Sequence, residues 1–124
     1  MLQGNFFAIS HLEEADLSIK ATLTINAGHP VFEGHFPGQP VVPGVCMMQM
    51  IKELLEQVVG KKTDLVKAGD MKFLAVIDPL VNSEIDAALK YSTDEGGAIA
   101  VSATLFKGDL TFFKFKGAFS PQSS

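Results

Sequence analysis

Residues 27–44 read AGHPVFEGHFPGQPVVPG, and this stretch separates two parts of the chain that have different patterns. It contains four prolines and four glycines, so it cannot hold a regular helix or a central strand and predicts a shaped loop. Before it, apolar residues alternate with polar ones along residues 17–27, which is typical of a half-buried strand, and residues 6–14 are extended as well. After it, the pattern changes to that of a helix.

The predicted helix runs from about Pro43 to Val59. Proline is well tolerated in the first turn of a helix, and Gly60 stands where a glycine would end one. The first half of the helix is apolar nearly all round, so we expect other elements to surround it on most sides. The residues of this apolar half are Val45, Cys46, Met47, Met48, Met50 and Ile51. Cys46 is the single cysteine of the chain, and we interpret it as a packing residue.

A two-residue period returns after the helix and predicts antiparallel strands joined by hairpins. The expected strands are residues 65–77, 81–91, 98–106 and 110–119. Two strands, one buried helix and four more strands predict an α+β fold, in which an antiparallel sheet wraps around one long helix. A single sheet around such a helix leaves one side open, so the pattern predicts self-association.

Length and composition limit the remaining possibilities. The 124 residues predict one domain over residues 1–119 and a flexible tail at 120–124, where Pro, Gln and Ser bury little surface. The net charge is −4 and there is no arginine, so nucleic acid is not an expected partner. The apolar runs are shorter than the roughly 18 residues of a membrane span, and the N-terminus has no basic leader region. We expect a soluble, cytoplasmic protein that does not enter a membrane.

His35 is the residue of the loop that suggests chemistry. It lies between Gly34 and the pair Phe36-Pro37, so its backbone is constrained just before a helix begins. The first N–H groups of that helix, near Gly44 and Val45, are unpaired within the helix and could hold a carbonyl oxygen that gains negative charge. Together these features indicate proton abstraction beside a carbonyl. The loop alone also fits a histidine that only makes structural hydrogen bonds.

The string GHFPGQPVVPGV at residues 34–45 resembles the signature of the β-hydroxyacyl-acyl-carrier-protein dehydratase family. The string KFLAVIDPLVNSEI at residues 72–85 is similar to the third strand and proline turn of that family, and the likeness covers about residues 17–119. The resemblance implies a hot-dog fold that forms a dimer or a hexamer. It also implies a substrate carried on the phosphopantetheine of an acyl carrier protein, which enters a tunnel between subunits, and no cofactor or metal of the protein's own.

The resemblance also implies roles for single residues. His35 matches the base that removes the C2 proton of a 3-hydroxyacyl thioester, and Gly44 matches the glycine whose N–H polarises the thioester carbonyl. Pro43, Val45 and Phe36 are further candidates for substrate binding. In this family a carboxylic acid on the helix of the other subunit helps the C3 hydroxyl to leave as water.

This sequence departs from the family at the acid, because Gln49 stands where the family has Glu or Asp. A carboxamide cannot protonate a leaving hydroxide, and loss of a positioned acid costs about 10²–10⁴ in rate. Glu53 lies four residues later on the same helix face, about 5–6 Å away, and could be a relocated acid. The alternative, which we favour, places Glu53 with Lys52 and Glu56 on the solvated half of the helix.

The sequence therefore predicts a dehydratase-like lyase that eliminates water from 3-hydroxyacyl thioesters in fatty-acid or polyketide-type synthesis. One alternative is a thioesterase of the same fold, in which Glu53 activates water. Another is a non-catalytic acyl-binding subunit that pairs with an active hot-dog homologue. An acidic carrier protein needs a basic tunnel mouth, for which the candidates are Lys61, Lys62, Lys72, Lys114 and Lys116. His29 lacks suitable partners for a metal and is expected to be structural.

Overall fold

The computed structural model describes residues 2–34 and 40–122, and within these ranges the chain forms six strands and two helices. The elements are β1 (Phe7–Ala15), β2 (Ser18–Ile25), α1 (Val31–Gly34), α2 (Gly44–Val59), β3 (Thr63–Phe73), β4 (Glu84–Thr93), β5 (Ile99–Lys107) and β6 (Leu110–Pro121). The strands form one antiparallel sheet in the order β1-β2-β4-β5-β6-β3. The predicted α+β fold, a sheet with one long helix packed against it, is confirmed.

The core lies between the sheet and α2. Alternate residues of β2 point inward, so that Ile19 and Leu23 are fully buried, and α2 contributes Ile51 and Leu54. Burial of each such side chain stabilises the fold by about 1.5–3 kcal/mol. The helix ends at Gly60 as expected, since this residue has a left-handed φ of 73°. Neither helix in the described ranges is long and apolar enough to cross a membrane.

The glycine- and proline-rich stretch holds one helical turn, α1, where the sequence predicted no helix at all. Its start is capped, because the Val31 N–H donates to Nδ1 of His29 at 3.0 Å and the Glu33 N–H donates to the Pro30 carbonyl at 3.0 Å. Phe32 is buried against Phe6, with ring centroids 5.6 Å apart. Proline fits the first turn of a helix, and one buried aromatic ring holds that turn in place.

The last strand continues past the expected boundary of the domain at Phe119. Ser120 pairs with Asp64 and Pro121 pairs with Thr63 at the start of β3. A flexible tail was expected from residue 120 on the basis of the side chains alone. Backbone pairing with β3 orders residues 120 and 121 although their side chains bury little surface.

Strand β3 lies at one edge of the sheet and carries an exposed apolar surface. Within the described ranges it pairs with β6, and its other side has no neighbouring strand. The large exposed apolar residues of β3 and of residues 74–76 directly after it are Leu65, Val66, Met71, Phe73, Leu74 and Val76. Val45 at the start of α2 is 78% exposed, whereas Cys46, Met47, Met50 and Ile51 are buried, so this half of the helix is surrounded on most sides as expected but is open at its start. The open side predicted from the sequence is therefore the side of β3 and the helix start.

Candidate functional site

A groove with a volume of about 550 Å³ opens between the first half of α2 and strand β3. Small-molecule sites have volumes of about 300–1,000 Å³, so the groove has a suitable size for a ligand. Its lining residues are Gly44, Val45, Met48, Gln49, Lys52, Leu65, Met71, Phe73 and Phe119. The wall is mostly apolar, and its polar side chains are Gln49 and Lys52. Lys52 was not singled out in the sequence, because it shares the polar half of the helix with other charged residues.

The first residues of α2 line this groove. Pro43 is the N-cap residue in an extended conformation (φ −62°, ψ 148°), one position before the predicted first turn. No side chain of the described residues caps the helix, so its first N–H groups keep their positive partial charge. These groups belong to Gly44 and Val45, both of which line the groove. The geometry suits an oxygen that carries negative charge.

An aromatic ring lies against the backbone of Gly44, so a side chain at this position would have to displace that ring. A Cβ at this position would stand 2.9 Å from both Cε1 and Cζ of Phe73. The Phe73 ring stacks on Phe113, with centroids 4.6 Å apart and planes at 27°, so it is held from behind. The missing side chain lets the backbone of the helix start form part of the groove wall.

Gln49 and Glu53 are in direct contact, but they face different surroundings. Nε2 of Gln49 donates to Oε2 of Glu53 at 2.9 Å. The same carboxylate accepts the Leu2 N–H at Oε2 and the Gln3 N–H at Oε1, both at 2.8 Å. Glu53 is only 3% exposed, so the favoured expectation that it lies on a solvated face is wrong.

The burial of Glu53 has a physical reason that the sequence pattern did not reveal. Charge-assisted hydrogen bonds offset the cost of removing a carboxylate from water. Two of the three donors belong to the N-terminal turn, in which the Phe6 N–H donates to the Leu2 carbonyl at 2.8 Å and Gly4 has a φ of 89°. Leu2 and Gln3, which contact Glu53, were not identified from the sequence. The available sign of their turn was Gly4, the glycine that permits it.

The structure brings four of the described candidate residues together and places a fifth, Glu53, outside the groove. Pro43, Gly44, Val45 and Gln49 lie at the same end of α2, and the last three line the groove. Glu53 is one turn further along and does not line it; it borders a separate depression with Glu56 and Lys61. The candidates His35 and Phe36 lie outside the described residues.

The remaining candidates have structural surroundings. His29 caps α1 and meets the Phe6 ring edge-on at 5.3 Å. The described residues contain no group of three or more His, Cys, Asp or Glu side chains that could hold a metal. Cys46 is buried, and this burial raises the pKa of its thiol. Among the lysines, Lys72 and Lys114 are cross-strand partners.

The six-stranded sheet with its single long helix places the chain among hot-dog proteins. Solved structures of this fold include the dehydratase heterocomplex ApeI:P from Xenorhabdus doucetiae, with a TM-score of 0.67, 21% identity and coverage of 90% of this chain and 96% of that one. A thioesterase superfamily protein from Shewanella loihica has a TM-score of 0.59 and 10% identity, covering 91% and 90% of the two chains. At such identities these likenesses show the fold alone.

The family itself is shown by the sequence. A family model described as ApeI-like, ApeI dehydratase, matches residues 11–109, and the chain belongs to this family. The FabZ 3-hydroxyacyl-acyl-carrier-protein dehydratase of Mannheimia succiniciproducens is 37% identical over 60 residues, which are 48% of this chain and 39% of the relative. The FabZ enzyme of Klebsiella pneumoniae is 25% identical over 99 residues, 80% of this chain and 61% of the relative. The chain thus spans less than two thirds of these relatives.

Proposed function

We propose that this chain is the base-bearing subunit of a 3-hydroxyacyl thioester dehydratase, and that the acid of the reaction comes from a partner subunit. One observation carries the proposal. The groove beside the helix start offers backbone N–H groups and the Gln49 carboxamide, and none of its described lining residues is a carboxylic acid. The chain belongs to a dehydratase family, but the described residues of its groove include no carboxylic acid.

In the proposed reaction His35 takes the proton from C2 of the thioester, and the electron pair of that C–H bond moves toward the carbonyl. The oxygen becomes negative and is held by the Gly44 N–H, at the positive end of α2. The C2–C3 double bond then forms as the C3–O bond breaks. The departing hydroxide needs one proton to leave as water, and none of the described lining residues of the groove is a carboxylic acid that could supply it.

Gln49 and Glu53 are the two candidate positions for the acid on this helix, and neither is suited to supply that proton. Gln49 carries a carboxamide, which has no acidic proton to give. Glu53 is buried and its oxygens accept three hydrogen bonds from Leu2, Gln3 and Gln49, so it is occupied and turned away from the groove. The same contacts weigh against the thioesterase alternative, because a general base must reach the water that it activates.

A second hot-dog subunit is the proposed source of the acid. The exposed apolar surface formed by β3 and Val45 borders the groove, and a partner that covers this surface would also close the groove. The neighbour from Xenorhabdus doucetiae is itself described as a dehydratase heterocomplex. A dimer of two copies of this chain would have Gln49 at both of its sites. A partner homologue with a carboxylic acid at the position of Gln49 would supply the missing acid to one site.

The substrate of the proposal is an acyl chain on the phosphopantetheine arm of an acyl carrier protein, as in the FabZ relatives. The apolar wall of the groove suits the acyl chain. A second candidate function follows from the same missing acid: the chain binds and holds the acyl group while a partner performs both proton transfers.

Single-turnover dehydration of a 3-hydroxyacyl-carrier-protein thioester tests these alternatives. We expect the chain alone to form enoyl product slowly or not at all, and Gln49→Glu to raise the rate by about 10²–10⁴, the usual contribution of a positioned acid. His35→Ala in the Gln49→Glu background should remove the gain. If the unchanged chain is fully active and Glu53→Gln abolishes this activity, Glu53 is the acid and the proposal is wrong.

A further inference from the structure

The contact between Gln49 and Glu53 determines which end of the Gln49 carboxamide faces away from Glu53. We propose that Glu53 is a positioning residue that makes the groove a hydrogen-bond acceptor at Gln49, so that the site selects acyl chains with a hydroxyl over those with a carbonyl at C3. The inference rests on the proposed function for the class of ligand. The predicted quantity is the ratio of the affinities for the two kinds of acyl chain, which can be measured without any turnover.

The orientation follows from the hydrogen-bond capacities of the groups. A carboxylate only accepts, and Glu53 meets donors from Leu2, Gln3 and Gln49. Gln49 must therefore present its nitrogen to Glu53, and it does so at 2.9 Å. The carboxamide oxygen then lies at the end away from Glu53. Because Gln49 also lines the groove, this oxygen is the acceptor available to a ligand there.

An acceptor in an apolar wall discriminates between oxidation states of the acyl chain. A hydroxyl at C3 can donate to the Gln49 oxygen, whereas a carbonyl at C3 brings a second acceptor against it. An unmade hydrogen bond that leaves a buried acceptor unsatisfied is costly, so the two ligands should differ in affinity by about tenfold. The loss of an acid at position 49 thus leaves a site that still recognises the hydroxyl.

The substitution Glu53→Met should remove this polarity. Oε2 of Glu53 accepts both the Leu2 N–H and Nε2 of Gln49, and methionine has a similar volume but no oxygen at that place. The Gln49 carboxamide is then free to turn and to present either its oxygen or its NH₂ group to the groove. An NH₂ group in the groove can donate to a C3 carbonyl.

Isothermal titration calorimetry with two pantetheine amides of equal chain length, one 3-hydroxyacyl and one 3-oxoacyl, tests the inference. The amide replaces the thioester so that no elimination occurs. We expect the unchanged chain to bind the hydroxyl ligand about tenfold more tightly, and Glu53→Met to lower this ratio at least about fivefold. Glu14→Met is the control, since Glu14 accepts from the Tyr91 hydroxyl, neither residue lines the groove, and the substitution should leave the ratio unchanged.

A purely structural role for Glu53 would change stability but not the ratio, so an unchanged ratio in folded Glu53→Met overturns the inference. If that variant does not fold, Gln49→Met decides, because it leaves the contacts of Glu53 with Leu2 and Gln3 in place. The ratio must fall to about one in Gln49→Met, and a retained preference contradicts the inference. If neither amide binds the unchanged chain, the proposed substrate class fails, and the inference fails with it.

Discussion

The variant Gln49→Glu should have a stability that depends strongly on pH. In the present chain Nε2 of Gln49 lies 2.9 Å from Oε2 of Glu53. A glutamate at position 49 replaces that donor by an oxygen and sets two carboxylates at hydrogen-bond distance. At an effective dielectric constant of about 20, two unit charges roughly 3 Å apart repel by about 5–6 kcal/mol.

Protonation limits this penalty. A glutamate has an ordinary pKa of about 4.3, so placing a proton on one carboxyl costs about 3.7 kcal/mol at pH 7 and about 1 kcal/mol at pH 5. Both costs are below the repulsion, so the folded variant takes up one proton and shares it as an O–H···O bond. The pKa of the pair is thus raised in the folded variant, and the stability deficit grows as the pH rises above about 4.3. We expect a loss of about 2–4 kcal/mol at pH 7 and less than about 1 kcal/mol at pH 5.

Urea denaturation followed by far-ultraviolet circular dichroism, at fixed protein concentration and at pH 5, 6, 7 and 8, measures this loss. Gln49→Met is the control, because it removes the same hydrogen bond without adding a charge and should lose a similar amount at every pH. A deficit for Gln49→Glu that does not change between pH 5 and pH 8 would refute the reasoning, since it would mean that residues 49 and 53 do not face each other.

Three other outcomes follow from the structure. The buried Cys46 thiol, whose pKa is raised by burial, should react slowly with iodoacetamide at pH 8 in the folded protein and rapidly in urea; equal rates would contradict its burial. In Gly44→Ala the new Cβ must displace the Phe73 ring, so acyl-pantetheine binding measured by calorimetry should weaken, and Gly44→Ala combined with Phe73→Leu should recover part of the affinity. Replacing the exposed Val66 and Val76 by lysine should reduce association in sedimentation velocity without lowering the urea midpoint of the monomer; unchanged association would show that this surface is not the interface.

Local pattern was sufficient for most of the fold because strands and helices are determined by short-range periodicity. The alternation in β2 and the run between Pro43 and Gly60 identified their elements to within one or two residues. The turn α1 was missed, because a single turn is too short to have a period and depends on the burial of Phe32. Val45 was expected to be covered, since the sequence of one chain does not show which side of a helix the sheet leaves open.

The candidate site was less predictable because its decisive contacts join distant parts of the chain. The spacing of Gln49 and Glu53 correctly indicated that they share a helix face. It did not indicate what else meets Glu53, since Leu2 and Gln3 are about 50 residues away in sequence. A charged residue beside Lys52 and Glu56 has the pattern of a solvated face, and only the N-terminal turn makes it a buried one.

The positions of the amide and the acid are not interchangeable in this fold. With the carboxylate at position 53, its charge is stabilised by hydrogen bonds from two backbone N–H groups of the fold, and the groove keeps a neutral carboxamide. A carboxylate at position 49 would instead face the groove, where its proton could be exchanged with a ligand. The chain therefore stabilises its acid where that acid is least able to take part in elimination. Under the proposed function this arrangement makes dehydration depend on a second subunit, and it predicts that mixing the chain with a hot-dog homologue bearing a helix carboxylate gives more enoyl product than either protein alone.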